Sequence, residues 1–206
     1  MAETRPNRAK RKLQAGQPVL APHFPPNSAD ADIIDQFGHL GLIDVAWFEM
    51  EHGPITWDRL SDFSRACDLW GITSLTRVDQ NDPSTIGHAL TRGMQSVMVP
   101  HVNTREDAER AVRSSLYPPK GMRRGGGRQA FGVTDYSRKA NDETMVVVLI
   151  EDVQTISNLR TSWASPTSIA SSSDARISRR AWALSTRVTQ PILTCRQRSG
   201  TRSRPS

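Results

Sequence analysis

The chain has 206 residues and a net charge of +6, with a pI near 10.0. That length allows one domain with a sizeable core, but it is short of the ~250 residues typical of a closed eight-fold α/β barrel. No run of ~18 apolar residues is present, which excludes a membrane-spanning helix. The basic, polar stretch over residues 1–12 lacks the apolar segment of a secretory signal, so a cytoplasmic location is expected. Two cysteines, Cys67 and Cys195, make neither a disulfide framework nor a metal-type spacing. The basic charge suggests nucleic acid, but its distribution argues against that. Residues 160–206 hold 9 Arg and one acid, Asp174, for a net of +8. The first 159 residues hold 18 basic and 20 acidic side chains, for a net of −2. The body therefore reads as an ordinary soluble domain with no nucleic-acid or membrane partner.

In chain order, residues 1–16 read as a disordered lead-in and residues 17–159 as the folded domain. Residues 18–24 are expected to form a first strand. Ser28 is placed to cap a short helix carrying Ile33, Ile34 and Phe37, which Gly38 or Gly41 ends. Residues 45–51 read as a strand buried on both faces. Thr56 is expected to cap a helix whose apolar face is Leu60, Phe63, Cys67 and Trp70, stopped by Gly71. Residues 74–78 are a strand ending in charge. Asp82 followed by Pro83 starts a helix with an Ile86, Ala89, Leu90 stripe. Residues 96–100 are a strand. Thr104 and Asp107 form a capping box for the next helix. The glycine-rich loop over residues 117–128 is too long for a simple connector and is expected to serve an active site. Residues 145–151 are the clearest strand. Alternating strands and helices predict an α/β fold with a parallel sheet, open or closed into a barrel.

The chemistry-bearing residues sit at strand ends, the edge where α/β folds place their sites. Glu49, Glu51 and His52 end one strand, Arg77 the next and Glu151 the last. A carboxylate there is a hard oxygen ligand for Mg²⁺ or Mn²⁺. An arginine can hold a small carboxylate in bidentate fashion, and a histidine can move protons near neutral pH. Together these suit enolate chemistry on a 2-oxo acid. Each residue also has a plain structural role open to it: His52 as a hydrogen-bonded loop residue, Arg77 as a salt-bridge partner, Glu151 as a helix cap. His23, His88 and His101 show no zinc-type spacing.

Five motifs occur in order: Glu51-His52-Gly53-Pro54; Arg77-Val78 with Asn81-Asp82-Pro83; Val99-Pro100-His101-Val102-Asn103-Thr104; Tyr117-Pro118-Pro119-Lys120-Gly121-Met122-Arg123; and Ile150-Glu151. The series resembles the HpcH/HpaI family of metal-dependent (class II) pyruvate aldolases. The resemblance implies a (β/α)₈ TIM barrel of the phosphoenolpyruvate/pyruvate type, of which about the first five strands are present here. It implies a carbon–carbon lyase that cleaves a 4-hydroxy-2-oxo acid to pyruvate and an aldehyde through an enolate on a divalent metal (Mg²⁺, Mn²⁺ or Co²⁺). By motif, His52 resembles the acid/base residue and Glu51 its support. Arg77 resembles the residue on the pyruvate carboxylate and enolate, Arg123 lies in the family's mobile substrate loop, and Glu151 resembles one of two metal ligands. Glu49, Leu149 and Thr91 depart from residues common in the family, which bears on substrate choice and proton transfer. A citramalyl- or malyl-CoA-type lyase of the same superfamily is the alternative, with an inactive remnant as a further one. Family homo-oligomers lean on C-terminal helices that this chain does not contain.

Residues 160–206 do not resemble the family. Nothing there matches the segment that carries the second metal ligand. By composition the tail is Arg/Ser-rich and disordered. One offset of permitted codons nevertheless yields three family-like segments in the right order, among them Asp-Leu-Ala-Gln-Ser-Met-Gly over residues 176–183. The tail is therefore expected to be frameshift-derived, and a partial barrel with an unpaired edge is expected to have impaired activity.

Overall fold

The computed structural model describes residues 3–24, 30–152 and 155, together with the backbone of residues 169–171. Its centre is one parallel sheet of five strands in the order β1 to β5. These are β1 (Val45–Glu49), β2 (Thr73–Arg77), β3 (Ser96–Val99), β4 (Met145–Leu149) and β5 (Ile169–Ser171). Sequential order with every neighbour parallel is the topology of a (β/α) barrel traced over part of its circumference. The helices are α1 (Arg8–Gln14), α2 (Asp32–Gly38), α3 (Leu60–Trp70), α4 (Pro83–Thr91), α5 (Arg105–Ser115) and α6 (Tyr136–Glu143). Among the described residues, no helix is long and apolar enough to cross a membrane.

Each strand is apolar on both faces because each face has its own core. Ala46, Phe48, Val97, Val99, Val146 and Val148 pack with Leu60, Phe63, Cys67, Ile86 and Ala89 of the helices. Val45, Leu75, Met98, Met145, Val147 and Leu149 face the other way, toward Ala9, Leu13, Val19 and Trp47. Burying a side chain of this size contributes roughly 1.5–3 kcal/mol, so neither face can be left to water. The helix ends follow local chemistry. Asp82 accepts from Ser84 N and Thr85 N ahead of Pro83. Thr104 and Asp107 form the reciprocal box. Gly71 takes φ +65° to close α3, a conformation costly for a side chain with Cβ.

Four expectations are corrected. Residues 1–16 are not all irregular: α1 is capped by Asn7, and Asn7 and Ala9 are fully buried. The expected strand over residues 18–24 is reduced to one parallel bridge, His23 to Trp47. Pro18 and Pro22 have no N–H to offer a ladder there. Thr56 does not cap α3; its hydroxyl donates to Asp58, and the helix starts three residues later than expected, at Leu60. The boundary at residue 159 falls before β5, whose backbone pairs with β4 from Val147 to Leu149. The expected cap Ser28 and the rest of the 160–206 tail lie outside the described residues.

Candidate active site at the carboxyl ends of the strands

Side chains alternate along a strand, so Val45, Trp47 and Glu49 share one face, as do Leu75 and Arg77. The ladder sets Glu49 opposite Arg77. Backbone pairing continues one step past the strands, from Met50 N to Arg77 O at 3.1 Å and from Val78 N to Met98 O at 3.0 Å. The strand ends are thereby held in register, and a charged pair is fixed at the edge of an apolar interior.

Arg77 lies nearly buried between two nearly buried carboxylates. Its Nε is 2.6 Å from Glu49 Oε2 and 3.1 Å from Glu51 Oε2. These are ion-pair contacts without hydrogen-bond alignment. Glu49 also holds the turn that follows β1, since its Oε1 accepts from Glu51 N at 2.8 Å and His52 N at 3.2 Å. Gly53 closes that turn against the strand. A Cβ at Gly53 would sit 2.4 Å from Glu49 O. His52 faces solvent, with 73% of its side chain exposed and Nε2 3.8 Å from Glu51 Oε1.

The next strand ends bring the remaining groups. Glu151 Oε1 accepts from His101 N at 3.0 Å and lies 3.3 Å from His101 Nδ1. The other ring nitrogen, Nε2, is 3.2 Å from Glu51 Oε1. Asn103 Nδ2 donates to Asp152 Oδ2 at 2.8 Å, and Thr155 donates to Asn103 Oδ1. With both histidines neutral, Glu49, Glu51, Arg77, Glu151 and Asp152 carry a net charge of −3. Such an edge attracts a cation, and its embedded guanidinium is the group that can face an anion.

The structure thus gathers Glu49, Glu51, His52, Arg77 and Glu151 at one edge. It does not bring Arg123 to them. Arg123 is buried, with its guanidinium 4.5 Å over the Tyr117 ring. Its backbone N donates to Leu116 O, and Met122 N donates to Arg113 O, at the carboxyl end of α5. The same segment is tied to the carboxyl ends of other helices. Arg128 pairs with Asp68 at 2.6 Å and Gln129 donates to Gly93 O. Helices of a (β/α) fold end where the next strand begins, so this loop lies at the amino ends of the strands, away from the candidate site. The sequence reading overlooked His101, Asn103 and Asp152. His101 lies two residues past the end of β3, and the strand-end argument applied to Arg77 and Glu151 selects it equally well.

A divalent metal would need several hard donors around one centre. Glu151 has the right chemistry, but its Oε1 is taken by the backbone and ring of His101. Among the described residues, no three His, Cys, Asp or Glu side chains are arranged to hold a metal ion. The described residues as they stand do not fit one.

Comparison with known proteins adds lineage to this geometry. The chain is 31% identical over 149 residues to the hydroxypyruvate/pyruvate aldolase of Sagittula stellata, covering 70% of this chain and 58% of that protein. It is 30% identical over 159 residues to the 4-hydroxy-2-oxo-heptane-1,7-dioate aldolase of Escherichia coli, covering 74% and 59%. The chain thus spans somewhat under three fifths of these curated relatives' length. In fold it matches an HpcH/HpaI aldolase/citrate lyase family protein from Burkholderia cenocepacia J2315 with a TM-score of 0.77 at 22% identity, covering 88% of this chain and 81% of that one. The sequence profile of the HpcH/HpaI aldolase/citrate lyase family matches residues 25–170, which take in every strand and every candidate residue named above; the chain belongs to that family.

Proposed function

We propose that the strand-end site binds a small 2-oxo acid and serves carbon–carbon bond cleavage, the release of pyruvate and an aldehyde from a 4-hydroxy-2-oxo acid. The observation that carries this reading is Arg77, a nearly buried guanidinium framed by Glu49 and Glu51 at the open edge of a parallel sheet. A planar fork of N–H donors suits a carboxylate next to a carbonyl. Two acids around it fix its position and make a neutral site that accepts only a compact anion. His52 stands on the same turn with its ring in solvent, within reach of a substrate hydroxyl or a C3 proton. Glu51 lies beneath it and orients it. Glu151 is the residue this reading assigns to a divalent cation (Mg²⁺, Mn²⁺ or Co²⁺). No step is built on that ion, because the described residues leave it a single carboxylate whose oxygen is already engaged. Turnover is accordingly expected to be low.

The test separates binding from turnover. Pyruvate binding to the full chain is followed by isothermal titration or ligand-observed NMR. Exchange of the pyruvate methyl protons in D₂O is followed in parallel. The expected result is binding that Arg77→Gln abolishes, with slow exchange that His52→Ala reduces by about 10²-fold or more. Pyruvate binding that survives Arg77→Gln unchanged, or no binding at all, would refute the reading. Release of an acyl-CoA from a citramalyl or malyl thioester would redirect it to the thioester lyases of the superfamily.

A further inference from the structure

We propose that His101 is an internal occupant of the carboxylate edge: its imidazole fills the gap between Glu51 and Glu151, and a divalent cation binds there only when the ring leaves. This rests on the reading that Glu151 is the residue for that cation.

Three observations support it. The ring places one nitrogen against each carboxylate, Nε2 at 3.2 Å from Glu51 Oε1 and Nδ1 at 3.3 Å from Glu151 Oε1. Asp152 Oδ2 is a further 3.6 Å contact to Nδ1. Each ring nitrogen thus points directly at an acceptor. Two ligands of one ion would instead aim their lone pairs at a shared centre, so His101 is arranged as a competitor for these oxygens. The backbone enforces this position. His101 has φ +52°, uncommon for a residue with Cβ, and its N–H donates to Glu151 at 3.0 Å. The left-handed turn and that bond together aim the side chain back across the strand ends. The exit is also open, because 60% of the side chain is exposed and no core contact holds the ring in place.

A cation that needs a minor conformer binds more weakly by the fraction of time that conformer is populated. If the imidazole holds the carboxylates about nine tenths of the time, removing it tightens cation binding about tenfold. Glycine is the substitution that keeps the backbone, because φ +52° suits it. Asparagine also tolerates this region and is too short to touch both carboxylates.

Mn²⁺ binding is measured by the loss of the free-ion EPR signal in the full 206-residue wild-type chain, His101→Gly, His101→Asn and Glu151→Gln, with circular dichroism to confirm folding. The expected result is a dissociation constant lower by about tenfold in both His101 variants and binding lost in Glu151→Gln. In parallel, Mg²⁺ added to the wild type is expected to shift the His101 ring resonances toward those of an exposed imidazole. Binding lost in Glu151→Gln but unchanged in His101→Gly would overturn this proposal alone. Weaker binding in His101→Gly would make the histidine a ligand and overturn it too. Binding that Glu151→Gln leaves intact, or no binding in any chain, would overturn the cation reading and the proposal together.

Discussion

Asn7→Ala is the sharpest test of how the site's scaffold is held. Asn7 is fully buried. Its Oδ1 caps α1 by accepting from Lys10 N at 2.9 Å. The same oxygen accepts from Thr73 Oγ1 at 3.1 Å. Its Nδ2 donates to Ser96 Oγ at 3.0 Å and to Glu143 O at 2.9 Å. One side chain therefore ties the amino-terminal helix to the starts of β2 and β3 and to the end of α6. Loss of a cap costs about 1 kcal/mol, and each buried neutral hydrogen bond contributes about 1 kcal/mol net. The hydroxyls of Thr73 and Ser96 are left in an apolar layer. The total loss is about 3 kcal/mol, a large share of the 5–15 kcal/mol typical of a domain. In urea, with a slope of roughly 2 kcal/mol/M, the midpoint should fall by about 1.5 M with no change in slope. Arg8→Ala is the control. It removes only an exposed 3.3 Å bond to Gly71 O and should stay within about 0.5 kcal/mol of wild type. A loss below about 1 kcal/mol for Asn7→Ala would refute the docking of α1 beneath the sheet.

Three further outcomes are expected. Gly53→Ala should displace the turn that carries Glu51 and His52, because its Cβ would meet Glu49 O at 2.4 Å; pyruvate binding at Arg77 should weaken at least tenfold, and unchanged affinity would contradict the turn's role. Burial pushes the Cys67 thiol up to about 12, so in a Cys195→Ser background it should resist iodoacetamide at pH 8 and react once urea unfolds the chain. The unfolded thiol ionises near pH 9 while the folded one stays protonated to about 12, so this group should cost stability as pH rises through that window; Cys67→Ala should flatten the decline in melting temperature there. Thr104→Ala removes the box with Asp107 at the start of α5 and should cost about 1 kcal/mol by urea unfolding; a neutral result would mean that Asp107 alone satisfies the helix end.

The local elements were legible in the sequence because they rest on short-range rules. The apolar run at residues 145–149 makes a strand, Asp82-Pro83 starts a helix, and Gly71 ends one, whatever surrounds them. Gathering Glu49, Glu51, His52, Arg77 and Glu151 at one edge also followed from sequence alone, since parallel strands all end on the same side. Three features depended on contacts between distant residues. Residues 8–14 look like a basic lead-in by composition, and only Thr73, Ser96 and Glu143 reveal Asn7 as a buried anchor. Arg123 sits in a glycine-rich loop of the kind that often serves a site, yet its placement is decided by the carboxyl ends of α3, α4 and α5, to which residues 117–129 are tied. His101 has no informative spacing from any other histidine; what gives it a role is a left-handed backbone that carries its ring between carboxylates 50 residues away on either side. Sequence thus determined which groups reach the active edge, because alternation and strand direction are local. Tertiary structure decided which of them face one another, because that is set by register across the sheet and by the turns that leave it.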